Sequence, residues 1–221
     1  MVAVPFLLIG AIASGLYTSP ARQAVEPAGR PSAIAVSQSS EQGIRFTYNA
    51  GAMKLNDAGN GRTQVTFEHA DNTAEPGQFD LPSRTVRIGI PQTGQVRVRQ
   101  SAGKVTRLDG KVPALVPVVS YERGRLEPPD SLARAVPSEW AEVTGRGEVR
   151  GVRYVELTLR PVRSTRDGGL EATDRIEVAV EFSDQPRASR SGDRLAAAVL
   201  LNGVQAQSWS LDPGAVATAS F

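Results

Sequence analysis

Apolar and polar side chains alternate with a period of two along Arg150 to Phe182, RGVRYVELTLRPVRSTRDGGLEATDRIEVAVEF. Val155, Leu157 and Leu159 take turns with Tyr154, Glu156, Thr158 and Arg160, as Ile176, Val178, Val180 and Phe182 do with Arg175, Glu177, Ala179 and Glu181. That period predicts strands, each with one buried face. Asp167-Gly168-Gly169 between the arms accepts positive φ cheaply, so the stretch predicts a long antiparallel hairpin. A lone hairpin is only marginally stable in water, and further strands must cover these faces.

The same alternation recurs upstream. IRFTYNA at 44–50 and TQVTFEH at 63–69 predict strands separated by a turn through DAGNG at 57–61. Val86, Ile88 and Ile90 oppose Thr85, Arg87 and Gly89, and Pro91-Gln92-Thr93-Gly94 turns the chain before Val96 and Val98 resume, which predicts a second hairpin. The apolar run PALVPVVSY carries prolines that cannot donate to a ladder, which predicts an edge or an extended connection. Residues 121–140, YERGRLEPPDSLARAVPSEW, are polar and without alternation, as in a long functional or mobile loop. After the break DQPRASRSGD, RLAAAVLL at 194–201 predicts a helix begun by Asp193 and ended by Asn202-Gly203. About eight short strands at regular spacing predict an all-β fold, an antiparallel β-sandwich of jelly-roll-like form, with a closed barrel as the alternative.

The termini change the picture of where the protein works. VAVPFLLIGAIA at 2–13, followed by small residues, reads as a secretory signal although no Lys or Arg precedes it. An uncleaved anchor over Val2 to Tyr17 is the alternative. Arg22 to Gly43 is rich in Pro, Ser, Ala and Gln with little periodicity, so order is expected from Ile44. The expected organisation is a signal peptide over 1–24, a flexible linker over 25–43, a sandwich over 44–185, and a helix and linker over 186–221. Such a chain is secreted, periplasmic or on the cell surface.

Composition excludes several chemistries. Lys and Arg number 25 against 23 Asp and Glu, a formal net charge of +2, so neither a nucleic-acid stripe nor a polybasic membrane patch is implied. With no cysteine there is no disulfide, no thiolate zinc site and no thiol nucleophile. The single histidine, His69, has no GxSxG elbow to serve, and reads as a strand-end histidine without a catalytic role. Glu177 and Glu181 share an outward strand face, where carboxylates are solvated. No calcium loop, phosphate-binding glycine loop or HExxH helix is present, and no cofactor is expected.

Taken in order, LPSRTVRIGIPQTGQVRV, Trp140 in a proline-led segment, RG-x-R-x-V-x-L-x-L-x-PV followed by RIEVAVEF, and LLNGVQAQSW resemble the prodomain of gingipain-type cysteine peptidases over Phe79 to Trp209. Gly203 stands where an aromatic is common in that family. The resemblance implies a β-sandwich prodomain, itself no enzyme, that helps its peptidase fold and keeps it latent by covering the active-site cleft. The partner it implies is the cognate cysteine peptidase catalytic domain, in cis. It also implies an inhibitory loop in which an arginine enters the specificity pocket. GRLEPPD at 124–130 is the nearest match, placing Arg125 there, with Arg123 close enough to compete and Glu127 following. A guanidinium on a long loop suits a pocket carboxylate because it can bind it bidentately. The alternative from a different class is a free-standing secreted sandwich that binds a glycan or envelope component. Against it, Trp140 and Trp209 lie far apart on non-strand segments and make no aromatic row.

Overall fold

A computed structural model describes residues 33–93, 95–117, 136–183 and 198–209. The chain runs through β1 (Ile34–Ser40), β2 (Gly43–Asn49), β3 (Met53–Gly59), β4 (Arg62–Phe67), β5 (Asp71–Asn72), β6 (Pro82–Gly89) and β7 (Val96–Ala102). It continues through β8 (Val105–Arg107), β9 (Val112–Pro113), β10 (Ala141–Val149), β11 (Val152–Leu159), β12 (Val162–Ser164), β13 (Leu170–Thr173) and β14 (Arg175–Phe182). A short helix α1 (Gly203–Ala206) and a 3-10 turn (Gln207–Trp209) follow.

Two four-stranded sheets, ordered β1-β2-β14-β7 and β10-β11-β6-β5, carry the fold, flanked by the three-stranded ribbons β12-β13-β8 and β3-β4-β9. Their inner faces share one core: Ile44, Phe46 and Tyr48 from β2, Ile176, Val178 and Val180 from β14, Ile88 from β6, and Val155, Leu157 and Leu159 from β11. Each fully buried aliphatic side chain contributes about 1.5–3 kcal/mol, so strands that alternate cleanly end up central in their sheets. Arg87 on β6 and Arg99 on β7 lie on the outer faces, paired with Glu156 and Glu181 at 3.0 and 3.1 Å. The all-β antiparallel reading with one short C-terminal helix holds. The parallel exception is β4–β9, where Pro113 sits on a ribbon edge.

Both predicted hairpins are corrected in their pairing. The arms of 150–182 lie in different sheets: β11 pairs with β10 and β6, whereas β14 pairs with β2 and β7. The turn at Asp167–Gly169 is real, but it closes the small β12–β13 hairpin inserted between the arms. There Thr165 and Arg107 hold the Asp167 carboxyl down at about 2. Likewise β6 and β7 belong to different sheets and do not pair as a hairpin. The cause is common to both cases. Two strands with one apolar face each can bury them against each other across a sandwich, and a connection longer than a tight turn permits that crossing.

Strand order also begins earlier than Ile44. β1 pairs along β2 from Ile34, within the stretch expected to be linker, and its exposed Ser- and Gln-rich sequence carries no alternation. β3 takes in 57–59 of the turn expected at 57–61, so the reversal into β4 is confined to Asn60-Gly61, and β10 is a further strand missed in the sequence. It forms a true hairpin with β11 through Arg150-Gly151, both at positive φ, the geometry a two-residue turn requires. Of the predicted helix, Ala198 and Val199 are helical, the chain turns at 200–202, and α1 starts at Gly203. Asp193 lies outside the described residues.

Tyr48 gives the core a pH signature. Its side chain is fully buried and its hydroxyl donates to the His69 carbonyl at 2.9 Å. Burial pushes its pKa well above the ordinary value, with Arg84 opposing and Asp71 reinforcing the shift. The folded pKa is the higher one, so the contribution is complete below the unfolded value of about 10 and is lost as pH rises beyond it. Alkaline titration of unfolding free energy should fall above that pH in the wild type. In Tyr48→Phe the fall should be shallower, after a neutral-pH cost of about 1 kcal/mol for the unpaired carbonyl. Parallel curves for the two proteins would exclude Tyr48 as the titrating group.

Candidate functional site

Arg123, Arg125 and Glu127 lie outside the described residues, within 118–135. The structure does describe both ends of that stretch. On the entry side, Leu115 bridges Phe79, Val116 donates its N–H to the Gln78 carbonyl at 2.9 Å, and Gly77 donates to the Val116 carbonyl at 2.8 Å. Gly77, Gln78 and Phe79 lie in the connection between β5 and β6, so the entry is tied to the loop that leads into β6.

The exit side is held more densely. Ser164 on β12 donates its backbone N–H to the Pro137 carbonyl at 2.7 Å, and its hydroxyl lies 3.2 Å from the carbonyls of both Val136 and Pro137. Arg163 lies across from Glu171 in the β12–β13 ladder and donates Nε to its carboxylate at 2.6 Å. The same guanidinium donates to the Ser138 carbonyl at 3.3 Å and stacks over the Trp140 ring at 4.4 Å. Arg160 donates its backbone N–H to the Trp140 carbonyl, and the Gln100 side chain bridges Glu139 and the Ala141 N–H. Trp140 is 3% exposed and packs into the core, so residues 136–141 are fixed from below as well as from the side. The Arg163–Glu171 clamp escaped the sequence reading. Its signal was an opposite-charge pair placed symmetrically about Asp167, the arrangement cross-strand neighbours adopt.

Other chemistry-bearing residues have structural partners. His69 places Nδ1 3.1 Å from the Asn49 carbonyl and Nε2 3.8 Å from Glu68. Glu177 is paired with Arg175 at 2.8 Å, as Glu181 is with Arg99. Among the described residues, no group of three or more His, Asp or Glu is placed to hold a metal ion. No helix among them is long and apolar enough to cross a membrane. Trp209 is 1% exposed, so it and Trp140 offer no stacking platform to a sugar.

The described residues thus form a two-sheet sandwich in which both flanks of 118–135 are tied down, the exit by Arg163, Ser164 and Trp140. Comparison with known proteins gives the family: residues 23–207 match Propeptide_C25. The chain belongs to that family, and it is accordingly a non-catalytic propeptide and not a peptidase domain. Among solved structures, a chain from the complex of Porphyromonas gingivalis RgpB pro- and mature domains is similar at 17% identity, with a TM-score of 0.60 over 79% of this chain and 100% of that one. A second, from work on the zymogenic latency of gingipain K of Porphyromonas gingivalis, is similar at 21% identity, with a TM-score of 0.52 over 72% of this chain and 95% of that one. These likenesses establish the fold. No curated protein sequence matches the chain.

Proposed function

We propose that this propeptide keeps a secreted cysteine peptidase latent by covering its active-site cleft, and that it assists the folding of that domain in cis. The observation that carries the reading is membership of the propeptide family together with a long segment, 118–135, whose two ends are fastened to the sandwich. A segment restrained at both ends loses less conformational entropy on docking than a free one, which favours tight occupancy of a cleft. The apolar run at 2–13 directs the chain to the secretory route, outside the cytoplasm or onto the cell surface. Arg125 is the residue that enters the specificity pocket, with Arg123 as its neighbouring competitor and Glu127 beside them. The gingipain-type relatives named above are described in terms of pro- and mature domains and of zymogenic latency, which fits this reading.

The test is inhibition of the mature catalytic domain of the cognate peptidase by the separately produced chain. Arg125→Ala should weaken inhibition at least tenfold, about 1.4 kcal/mol. An unchanged inhibition constant in both Arg125→Ala and Arg123→Ala would remove the arginine from the mechanism. A wild-type chain that leaves the peptidase fully active at micromolar concentration would remove latency itself.

A further inference from the structure

We infer that the recess between the start of β3 and the paired strands β8 and β13 binds a small zwitterion, an α-amino acid with an apolar side chain: Lys104 receives its carboxylate, Asp174 its ammonium, and Met53 and Phe67 give its side chain an apolar lining. The inference is independent of the latency reading, and its test needs no peptidase.

The recess has a volume of about 270 Å³. Sites for drug-sized ligands run to ~300–1,000 Å³, so its occupant is smaller than those. One wall is the connection from β2 to β3, through Gly51 and Ala52 to Met53, with Phe67 of β4 beside it. The other is formed by two adjacent connections, β7 to β8 carrying Lys104 and β13 to β14 carrying Asp174, joined where the Gly103 N–H donates to the Arg175 carbonyl at 2.9 Å. Both walls are fastened without a ligand. The Ala50 N–H donates to the Asp174 carbonyl at 2.7 Å, the Glu68 N–H to the Ala52 carbonyl at 3.3 Å, and the Gly51 N–H to Asn49 Oδ1 at 2.9 Å. Lys104 and Asp174 are exposed, of opposite sign and on the same recess, yet neither is paired with the other or with any described residue. The charges around them are already committed: Arg175 to Glu177 at 2.8 Å and Arg107 to Asp167 at 2.7 Å, while Glu68 lies 3.8 Å from His69. Thr173 turns its hydroxyl to the Arg175 carbonyl at 3.0 Å, whereas the Thr106 hydroxyl borders the recess and can donate to a carboxylate. A lone anion is opposed by Asp174 and a lone cation by Lys104; a ligand with both charges a few bonds apart satisfies both. Phe67 is 6% exposed and Met53 half-buried, and this lining separates an amino acid with an apolar side chain from glycine.

Ion pairs at exposed positions hold a ligand weakly, so the expected dissociation constant is about a millimolar. The full chain is titrated with L-leucine while the backbone amide shifts are followed by NMR. Leucine should give saturable shifts centred on Gly51, Lys104 and Asp174. Leucinamide, which lacks the carboxylate, and N-acetylleucine, which lacks the ammonium, should each bind at least about fivefold more weakly, and glycine should fall behind leucine for want of a side chain. Lys104→Gln should weaken leucine by the same factor and leave leucinamide unchanged, so that the two ligands become equal; Asp174→Asn should do this for leucine and N-acetylleucine. A merely structural role for either residue would shift all ligands together. Both positions are exposed, and unchanged core amide shifts verify that the variants are folded; should one not fold, the ligand series on the wild-type chain decides. The absence of saturable shifts at tens of millimolar leucine overturns the inference. Equal binding of leucine and N-acetylleucine does so too, since it would mean apolar adsorption only, as do shifts centred elsewhere on the sandwich or a Lys104→Gln chain that still prefers leucine to leucinamide.

Discussion

Leu157→Asp unfolds the sandwich and abolishes inhibition in the same step. Leu157 is fully buried on β11, the strand at the middle of its sheet with β10 on one side and β6 on the other. Its neighbours across the interior are apolar side chains of the shared core, which offer a carboxylate neither a counter-ion nor a hydrogen-bond donor. Burying an ionised carboxylate there costs many kcal/mol, and burying it protonated still leaves the transfer penalty together with the lost aliphatic volume. The expected destabilisation is above about 5 kcal/mol, which takes most or all of the stability of an ordinary domain. Val155→Asp, at an equally buried position on the same face, should behave alike. Leu55→Asp supplies the contrast. Leu55 is 43% exposed on β3, so the same new charge stays in water and should cost about 1 kcal/mol or less. Thermal unfolding followed by circular dichroism checks all three. A folded Leu157→Asp would mean that the two sheets do not close over β11.

The alternation that identifies Leu157 as inward was legible because side chains point to opposite faces of a strand whatever it pairs with. Pairing partners were not legible for the same reason. The face of β14 that buries Ile176, Val178 and Val180 would satisfy a hairpin with β11 or a sheet opposite it equally well, and the sandwich chose the second. Two of the strands that went unread, β1 and β10, are held chiefly by their neighbours. β1 is exposed along most of its length and is held by its ladder with β2. β10 carries Gly145 and Gly147, whose missing side chains leave room for Glu156 and Tyr154 of β11. Both are defined by what lies beside them, which composition does not encode. The clamp at Arg163 was hidden in the same way. A lone arginine after Pro161 reads as solvated until Glu171 and Trp140 are brought to it by the turn. Arg125, by contrast, rests on the motif around it and stands on the inhibition measurement.

Gly89→Ala should release residues 198–209 from the sandwich. Gly89 closes β6 beneath this segment, and a Cβ there would lie 2.4 Å from the Ala206 Cβ and 3.1 Å from Leu200 Cδ1. Carbon atoms prefer about 3.5–4.0 Å, so the segment must lift. Lifting breaks a reciprocal pair in which the Gly89 N–H donates to Asn202 Oδ1 at 2.8 Å and Asn202 Nδ2 donates to the Gly89 carbonyl at 2.9 Å. Asn202 is 4% exposed, and its side chain here takes the place of a neighbouring strand's backbone. Further along, Trp209 packs edge-on to Phe182 at 5.3 Å and its carbonyl receives the Gln92 amide at 2.9 Å. These contacts hold residues 198–209 against β6 and β14. The expected loss is about 3 kcal/mol, a fall of roughly 6–12 °C in the unfolding midpoint for a chain of this size. Tryptophan emission should shift to the red as Trp209 meets water while Trp140 stays buried. Ala206→Gly removes the atom in the way, and the double variant should recover most of the midpoint, less the ~1 kcal/mol that a helical glycine costs. A midpoint in Gly89→Ala equal to the wild type would mean that the segment is not seated on β6, and recovery without Ala206→Gly is not expected from any contact made by Gly89.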